Sequence, residues 1–478
     1  MSRDEGELGL GTLSAFGAGG ISMGMLLMGV NYFALVYYSQ ALGISGSVVG
    51  SALALALVSD AVSDPLVGAL SDRTRTRWGR RHPYLYAAVL PSAFLFYLFW
   101  NPPAWAIASD AVAFWFLLGT ASLMRLAATL FEVPSNALVA ELTTDYDRRS
   151  DLMSYRMNLY YFSTAMFSVV MFYYFLADTP EYPQGNLRVA GYEEMGLAAA
   201  LVIGVTMLIQ AVGTHRHIPR MRDANLELHP QGLKLREVFA PFKNRSLLAI
   251  VLSALFSSTQ SGTAAALWIY MMTYFWELTS TQMAWFSFIA LFGTPIAFYL
   301  VPRAFRGREK KHIAVAVMIL AVVVDVGPIL LRVAGLMPPN GTTLLIAIIF
   351  SQAVFLTICG TFVQVALGSM LAEIVEEHAV QTGQHIAGLI TSTRSFTLKV
   401  MSGAGIAVAG VVLDFIAFPT QSAVKDVPPE TIFSLGIAYG PILMILSLTA
   451  VVILGAYRIS RSDHEENLAR LGADVAES

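Results

Sequence analysis

The sequence predicts an all-α membrane protein with twelve transmembrane helices and both termini in the cytoplasm, and three observations support this prediction. First, the chain of 478 residues is 56% hydrophobic and only 13% charged, about half the charged fraction of an average soluble protein. Second, its apolar stretches recur along the chain and reach the roughly 20 residues that a helix needs to cross a bilayer. Third, its Lys and Arg residues concentrate in alternate connections between those stretches.

Twelve apolar segments lie between breaks that are charged or rich in Pro and Gly. Several are longer than a minimal span, which indicates tilted helices or helices that extend beyond the bilayer. The predicted limits are 12–39, 46–71, 83–101, 108–140, 152–177, 193–213, 246–275, 282–303, 312–334, 342–370, 385–415 and 431–457.

The basic residues predict the orientation of these spans. Of the 30 Lys and Arg residues, 23 lie in the N-terminal tail, the even-to-odd loops and the C-terminal tail. Basic loops face the cytoplasm, so we expect both termini there and a location in the inner or plasma membrane. The acidic, polar N-terminus does not resemble a cleaved signal peptide, so the first span should act as the targeting signal. We expect a monomer in the lipid bilayer that binds no nucleic acid.

The longest basic connection divides the chain near its middle. We therefore predict an N-terminal six-helix bundle at 1–214, a cytoplasmic linker loop at 215–245, and a C-terminal six-helix bundle with a cytoplasmic tail at 246–478. The second and eighth spans each lead into a short basic loop, which is typical of a secondary transporter built from repeats. Two unrelated basic loops are the alternative.

Two carboxylates in the second span are the strongest candidates for chemistry. Asp60 and Asp64 are four residues apart, so they share one face of a helix. A charge inside a membrane is costly and usually marks an ion or substrate pathway. Carboxylate oxygens suit a hard cation such as Na⁺, and a buried carboxylate can instead hold a proton. A structural ion pair with Arg73 or Arg77 is the alternative.

The fourth span carries a polar stripe. Spacings of four, three and four residues place Arg125, Thr129, Glu132 and Asn136 along one side of a helix. Glu132 lies in an apolar context, so we predict that it binds a cation or the substrate. Arg125 is either a substrate contact or the structural counter-ion of Glu132.

Polar residues in three further spans complete the candidate set. Arg156, in the fifth span, has tyrosine neighbours and suits a hydroxylated or anionic ligand, with snorkelling to the interface as the alternative. Lys399, in the eleventh span, should pair across the bundle with Asp60, Asp64 or Glu132, so that one added cation or proton brings the site near neutrality. Gln260 belongs to a polar run at 257–263 that lines a cavity or joins neighbouring helices.

The sequence contains no pattern typical of an enzyme. It has no phosphate-binding Walker loop, no Cys/His metal spacing and no nucleophile elbow. We therefore predict a transporter that uses no cofactor and is driven by a Na⁺ or H⁺ gradient, or that works by facilitation.

The segment 60–83, which includes Asp60-Ala-Val-Ser-Asp64-Pro65 and a basic loop, resembles the signature of a known family. This is the glycoside–pentoside–hexuronide:cation symporter family, the melibiose permease group of the major facilitator superfamily. The resemblance implies a major facilitator fold of two six-helix bundles. It also implies cation-coupled symport of a small solute, a glycoside or another hydroxylated compound, by alternating access.

The resemblance also assigns residues. It implies a cation site at Asp60 and Asp64, for Na⁺ or H⁺, because the aspartates of this span bind the coupling cation in the family. The segment Thr129-Leu-Phe-Glu132-Val-Pro134 is similar to the motif Thr-x-x-Asp-x-Pro, so Thr129 would join the cation site and Glu132 would link cation and substrate. Lys399 resembles a lysine near that site, and Arg156 lies about where the family has a substrate-contacting arginine.

The predicted cargo contacts are less similar to the family. The first span lacks the charged pair that holds the sugar in melibiose permease, and Asn136 stands where that protein has a sugar-stacking tryptophan. The substrate set is therefore Glu132, Asn136, Arg156, Gln260 and Arg125, with the cargo open. One alternative cargo is an amphiphile, because the sodium-coupled lysophospholipid symporters look like relatives. A second alternative is a receptor or scaffold that does not transport.

The short basic loops predict a cytoplasmic gate. The loops Arg73–Arg81 and Arg303–Lys311 follow the second and eighth spans. We expect ion pairs at these loops to hold the gate closed. The residues of this predicted gate are Asp72, Arg73, Arg77, Arg80 and Arg303.

Overall fold

The computed structural model describes residues 9–143, 145–218, 244–382, 387–466 and 470, without the side chains of 61, 146, 379 and 381–396. Within these ranges the regular structure is helical, apart from one isolated bridge between Thr76 and Gly79. Most of the predicted linker loop at 215–245 lies outside the described residues, at 219–243.

Long helices connected by short loops make up the described chain. Three short 3₁₀ helices at Ala104–Ile107, Gly185–Leu187 and Val424–Asp426 lie in the loops. The long helices are α1 (Leu10–Ala41), α2 (Gly46–Arg73), α3 (His82–Trp100), α4 (Asp110–Leu142), α5 (Tyr146–Val170, extended by a π-helical turn at Met171–Phe175), α6 (Val189–His215), α7 (Arg245–Phe275), α8 (Ser280–Phe305), α9 (Lys310–Val333), α10 (Thr343–Thr382), α11 (Ala387–Phe415) and α12 (Pro429–Leu454).

Eleven helical segments in the described ranges are long and apolar enough to cross a membrane. The helix α5 is not among them: its first turns are rich in charged residues, and the remainder is interrupted by Asn158 and several tyrosines. It begins at Tyr146 rather than at the predicted 152, since the Asp145 side chain accepts a hydrogen bond from the Arg148 amide at 3.0 Å and caps the helix. The helix α10 likewise continues past the predicted 370, to Thr382.

The helices α1 and α7 end in the same unusual way. Each closes with a π-helical turn, at Tyr37–Ala41 and at Met271–Phe275. Two residues past the end of each helix, the residue at which the chain turns back has a positive φ: +84° at Gly43 and +50° at Glu277. Such a match between the first helix and the seventh is what an internal structural repeat produces.

Packing joins α1 to α5 and α6, and α2 and α3 to α4, whereas α7 packs against α11 and α12, and α9 against α10. We call these two groups the N-half (α1–α6) and the C-half (α7–α12). The halves meet mainly where α2 packs against α11, with further contacts of α1 with α7 and of α5 with α8. Many of their polar contacts lie at one end of the molecule, which carries the loops at 42–45, 177–188, 276–279 and 416–428. We call it the closed end.

Close packing inside the C-half depends on a glycine. A Cβ atom on Gly262 of α7 would lie 2.1 Å from the carbonyl oxygen of Ser402 on α11, whereas a Cβ on Gly368 of α10 would meet nothing within 4 Å. We therefore expect Gly262→Ala to destabilise the protein by about 1–3 kcal/mol through overpacking.

The matched control is Gly368→Ala, which should leave stability unchanged or raise it by up to about 1 kcal/mol because alanine favours helix. Thermal unfolding of both variants in detergent checks this pair. An equal unfolding temperature for Gly262→Ala and the parent would contradict the close packing of α7 on α11.

Candidate cation site and cargo cavity

The two aspartates of α2 share a hydroxyl donor on α4. The Thr129 hydroxyl lies 2.9 Å from Asp60 Oδ1 and 3.0 Å from Asp64 Oδ1. The four-residue spacing on α2 turns both carboxylates toward α4, which packs against it. Thr129 is 1% exposed and Asp60 6% exposed, whereas the Asp64 side chain is 25% exposed, so the compact site is accessible on the side of Asp64.

A lysine from the C-half binds the same two carboxylates. The Lys399 ammonium on α11 donates to Asp64 Oδ2 at 2.6 Å and lies 3.2 Å from Asp60 Oδ2. Asp64 and Lys399 are 335 residues apart in the sequence, so this contact ties α2 of the N-half directly to α11 of the C-half. The lysine therefore offsets one of the two carboxylate charges, as a bound monovalent cation would.

Arg125 supplies the second positive charge at this site. The guanidinium Nη1 of Arg125 lies 3.6 Å from Asp60 Oδ2. This distance is within ion-pair range but too long for a hydrogen bond. Arg125 is 3% exposed, and a buried charge is tolerated in a membrane protein when it is paired. With Asp60, Asp64 and Lys399, it makes a cluster of two formal negative and two formal positive charges.

Glu132 lies beside this cluster rather than in it. Its side chain is partly buried, one turn further along α4 from Thr129. It interacts electrostatically with Arg125, Arg156 and Lys399. Glu132 therefore stands between the cation cluster and the remaining predicted cargo residues.

Arg156 is held inside the N-half. It is 3% exposed, its NH1 donates to Ser135 Oγ at 2.7 Å, and its guanidinium lies 5.7 Å from the centre of the Phe16 ring. Ser135 also accepts a hydrogen bond from the Gln210 side chain on α6. Snorkelling is wrong for this residue, because a snorkelling arginine keeps its charged head in water.

The last two predicted cargo residues differ in exposure. Asn136 on α4 is exposed and Gln260 on α7 is partly buried, so both retain surface that a solute could contact. In the same polar run, the Thr263 hydroxyl donates to the carbonyl of Gly405 on α11 at 3.0 Å. The run at 257–263 therefore does join helices, at Thr263, as the alternative interpretation expected.

At the predicted gate loops, the described ion pairs stay within one half. The Nε atoms of Arg80 and Arg81 each lie 2.7 Å from Glu141 Oε1, and Arg81 also binds Asp72 at 2.5 Å. All four residues belong to the N-half. Further contacts at these loops are the stacking of Arg77 on Trp78 and of Arg303 on Tyr299 of its own helix, and the ion pair of Lys310 with Glu373 at 2.6 Å, within the C-half. Sequence reasoning missed Arg81 and Glu141.

Sequence reasoning also missed an acidic residue in the C-half. Asp325 lies partly buried within α9 and interacts electrostatically with Tyr439 on α12, which in turn interacts with Tyr32 on α1. The signal was available, since Asp325 is the one acidic residue in the apolar run 313–333. It was missed because the run 313–333 was assigned as a membrane span without considering the role of its single carboxylate.

Aromatic rings also connect the two halves. The Tyr32 ring on α1 lies 6.3 Å from the Trp268 ring on α7, edge to face, and Trp268 lies 5.4 Å from Phe286 on α8. Phe172, at the end of α5, lies 5.8 Å from Trp268 on another side. These rings form an apolar surface between the halves, in addition to the charged cluster of Asp60, Asp64, Arg125 and Lys399.

Across the described residues, no group of three or more His, Cys, Asp and Glu side chains is arranged to hold a metal ion. The oxygens that lie together at this site, and that would face a cation there, are those of the two aspartates and of the Thr129 hydroxyl. Two carboxylates and one hydroxyl are far fewer protein ligands than the roughly six to eight oxygens of a calcium site, and Lys399 already offsets one carboxylate charge, so the site suits a weakly held monovalent ion or a proton more than a tightly bound divalent metal.

Comparisons with known proteins identify the family of the chain. A family model described as "MFS/sugar transport protein" matches residues 15–461. The putative glycoside/cation symporter YagG of Escherichia coli is 24% identical, over 93% of this chain and 91% of its own length. The sodium-dependent lysophosphatidylcholine symporter 1-A of Danio rerio is 23% identical, over 86% of this chain and 79% of its own.

The solved structures include proteins of the same fold. The xylose transporter XylE from E. coli superposes with a TM-score of 0.63 at 13% identity, covering 96% of this chain and 98% of its own. The helical architecture and the family match together confirm the predicted family and exclude the enzyme classes. The chain therefore belongs to the MFS/sugar transport protein family and is a multi-pass membrane transporter of the major facilitator type.

Proposed function

We propose that this protein is a symporter that couples the movement of Na⁺ or H⁺ to that of a small hydroxylated solute by alternating access. The observation that carries the proposal is the contact of Lys399, from the C-half, with Asp60 and Asp64 of the N-half, at 3.2 and 2.6 Å. A site shared by both halves can couple its occupancy to their relative movement. The proposal includes twelve membrane crossings, cytoplasmic termini and a monomer.

The charges at the site suggest how coupling works. Asp60, Asp64, Arg125 and Lys399 are formally neutral together, so both aspartates already have cationic partners before a coupling ion binds. The coupling ion and the Lys399 ammonium therefore compete for the aspartate oxygens. A cation that takes this place releases Lys399, and with it the bond between α2 and α11.

Glu132 gives the released lysine a second partner. It already interacts electrostatically with Lys399, Arg125 and Arg156. Movement of Lys399 toward Glu132 would change the charge that faces the cargo, which links the cation site to the substrate site. Asn136 and Gln260 would offer amide groups to cargo hydroxyls. Arg156 would hold this part of α4 in place through its hydrogen bond to Ser135, the neighbour of Asn136.

A second candidate cargo is an amphiphile such as a lysolipid. It is favoured by the aromatic wall of Tyr32, Trp268 and Phe286 between the halves, and by the similarity to a lysophosphatidylcholine symporter. The hydroxylated solute remains the main proposal, because Asp60, Asp64, Glu132, Arg125 and Lys399 place ionised groups at the centre of the same space. Ionised groups in a membrane face water or polar partners.

The basic loops are proposed as the gate of the other conformation. In the described state, Arg80 and Arg81 hold Glu141 within the N-half. When the cytoplasmic side closes, Arg73, Arg77 and Arg303 would be free to bind carboxylates of the opposite half.

The first test removes the negative charge of the proposed cation site. Asp60→Asn with Asp64→Asn should abolish cation-stimulated uptake and reduce ²²Na⁺ binding at least about tenfold, because amide oxygens carry no net charge to hold the ion. Uptake is measured in proteoliposomes with an imposed Na⁺ or H⁺ gradient. The probes are a radiolabelled methyl glycoside, a methyl glucuronide and lysophosphatidylcholine.

Asp147→Asn is the matched control, since Asp147 is an exposed carboxylate at the start of α5, outside this site. It should keep the parent's uptake and binding. Normal cation stimulation in the double aspartate variant would overturn the assignment of the site. Uptake of lysophosphatidylcholine alone among the probes would replace the hydroxylated solute by the amphiphile.

The second test removes the competing lysine. Lys399→Met should raise the affinity for Na⁺ at least about tenfold if the aspartate pair binds Na⁺, because losing one ion-pair competitor is worth more than about 1.4 kcal/mol. It should also weaken coupling, so that ion and cargo move independently. Isothermal titration with NaCl measures the affinity, and the ratio of ²²Na⁺ to cargo flux measures coupling.

The matched control for this variant is Lys310→Met. Lys310 also binds an acidic residue, Glu373, at 2.6 Å, but within the C-half at the start of α9. It should leave the affinity for Na⁺ unchanged. Unchanged or weaker Na⁺ binding by Lys399→Met would show that the lysine supports the ion rather than competing with it.

A further inference from the structure

A carboxylate of the C-half caps a helix of the N-half at the closed end. Asp414, in the last turn of α11, accepts hydrogen bonds from the amides of Gly46 and Ser47, each at 3.0 Å, and from the Ser45 hydroxyl at 2.7 Å. These three residues form the N-terminus of α2. The first amides of a helix have no partner within it and carry positive partial charge, so a carboxylate is their best partner.

A carboxylate of the N-half does the same for a helix of the C-half. Asp178, which follows α5, accepts from the Ser280 amide at 2.9 Å and from the Ser280 hydroxyl at 2.8 Å. Ser280 is the first residue of α8. The Gly185 amide of its own loop, at 3.0 Å from Oδ1, fixes the orientation of the Asp178 carboxylate.

The two caps are related by the internal repeat of the fold. The helices α2 and α8 are the second of their halves, and α5 and α11 are the fifth. Each half therefore supplies one carboxylate at or just beyond the end of its fifth helix and receives one at the start of its second. Both caps exist only while the two halves are together at this end.

Close backbone packing surrounds one of the caps. A Cβ atom on Gly410 of α11 would lie 2.1 Å from the carbonyl oxygen of Gly46, and one on Gly50 of α2 would lie 2.8 Å from that of Ile406. Near by, Gln421 has a left-handed φ of +53°. A non-glycine residue in this conformation stores strain that its surroundings must hold.

Further hydrogen bonds cross between the halves at the same end. The Gln40 side chain of α1 donates to the Pro419 carbonyl at 3.1 Å, and its Oε1 accepts from the Tyr274 hydroxyl of α7 at 3.2 Å. The Asn186 side chain donates to the Thr273 hydroxyl at 3.3 Å. Of all these contacts, those of Asp178 and Asp414 are the ones in which a full charge meets a helix end, and charge-assisted bonds are the stronger kind.

We propose that Asp178 and Asp414 are positioning residues that latch the closed end, so that both caps must break before the cavity opens on that face. The inference rests on the proposed function, since alternating access is what gives the latch a role. By the predicted orientation this face is the non-cytoplasmic one. The two residues set the fraction of molecules open there and contact neither cation nor cargo.

The test measures the distance between the halves across the closed end. Spin labels are placed on Ala108→Cys and Glu430→Cys, two exposed positions in the N-half and the C-half, in a background with Cys359→Ala. The distance between the two labels is measured by pulsed electron–electron double resonance, with the protein in lipid nanodiscs and without cargo. Adding Asp178→Asn and Asp414→Asn should raise the ratio of long-distance to short-distance molecules at least about tenfold, because each cap loses its charged acceptor.

Asp110→Asn is the matched control. Asp110 also lies at the closed end and accepts from the Ser45 amide, at 3.4 Å, but both residues belong to the N-half. It should keep the parent's distance distribution. Each single cap variant should show part of the shift of the double variant.

Two results would overturn the latch. The first is a distance distribution that does not change in the double variant, although size-exclusion chromatography shows that this variant is folded. The second is a shift of the distance distribution in Asp110→Asn that equals the shift in the double variant. The measurement uses neither cargo nor gradient, so its failure is distinguishable from failure of the proposed symport, which the aspartate variants of the cation site test.

Discussion

The structure depends on one interaction, the binding of Lys399 to Asp60 and Asp64 near the centre of the molecule. Ionised side chains in a membrane are stable when they are paired and hydrogen-bonded. The lysine, Arg125 and the Thr129 hydroxyl supply those partners to the aspartates. Because Lys399 belongs to the C-half and the aspartates to the N-half, the pairing that stabilises the charges also holds the halves together.

The same two helices carry the cation site and one of the caps. Asp60 lies 14 residues along α2 from its first residue, Gly46, and Lys399 lies 15 residues before Asp414 on α11. At 1.5 Å per residue, each separation is about 21–23 Å of helix. A change in the bond between Lys399 and the aspartates therefore acts on the cap at the closed end through two rigid helices. This gives cation binding a physical route to the relative movement of the halves.

Local patterns in the sequence contained enough information to predict the family and the members of the charged cluster. Helical spacing brings Asp60 to Asp64 and aligns Arg125 with Thr129, while the cost of charge in a membrane singles out Lys399. The start of α5 at Tyr146 was not predicted, because its first turn is charged and the limits of the spans were assigned from apolar residues alone. The burial of Arg156 depends on Ser135 and Phe16 from other helices, which no local pattern encodes.

Contacts between distant segments were beyond sequence reasoning for the same reason. Asp414 and Ser45 are 369 residues apart, and Asp178 meets Ser280 only because α5 and α8 pack together. A capping aspartate is recognised in a sequence when it directly precedes its helix, as Asp145 does for α5. When the cap comes from the other half of the molecule, only the tertiary structure reveals it.

The most direct test of the central claim is the distance from Lys399 Nζ to Asp64 Oδ2 in experimental structures with saturating Na⁺ and, separately, at acidic pH without Na⁺. If the coupling ion and the lysine compete for the aspartates, this distance increases in one of the two conditions from 2.6 Å to beyond the ion-pair limit of about 4 Å. A lysine that stays bound to both aspartates in both conditions would contradict the account.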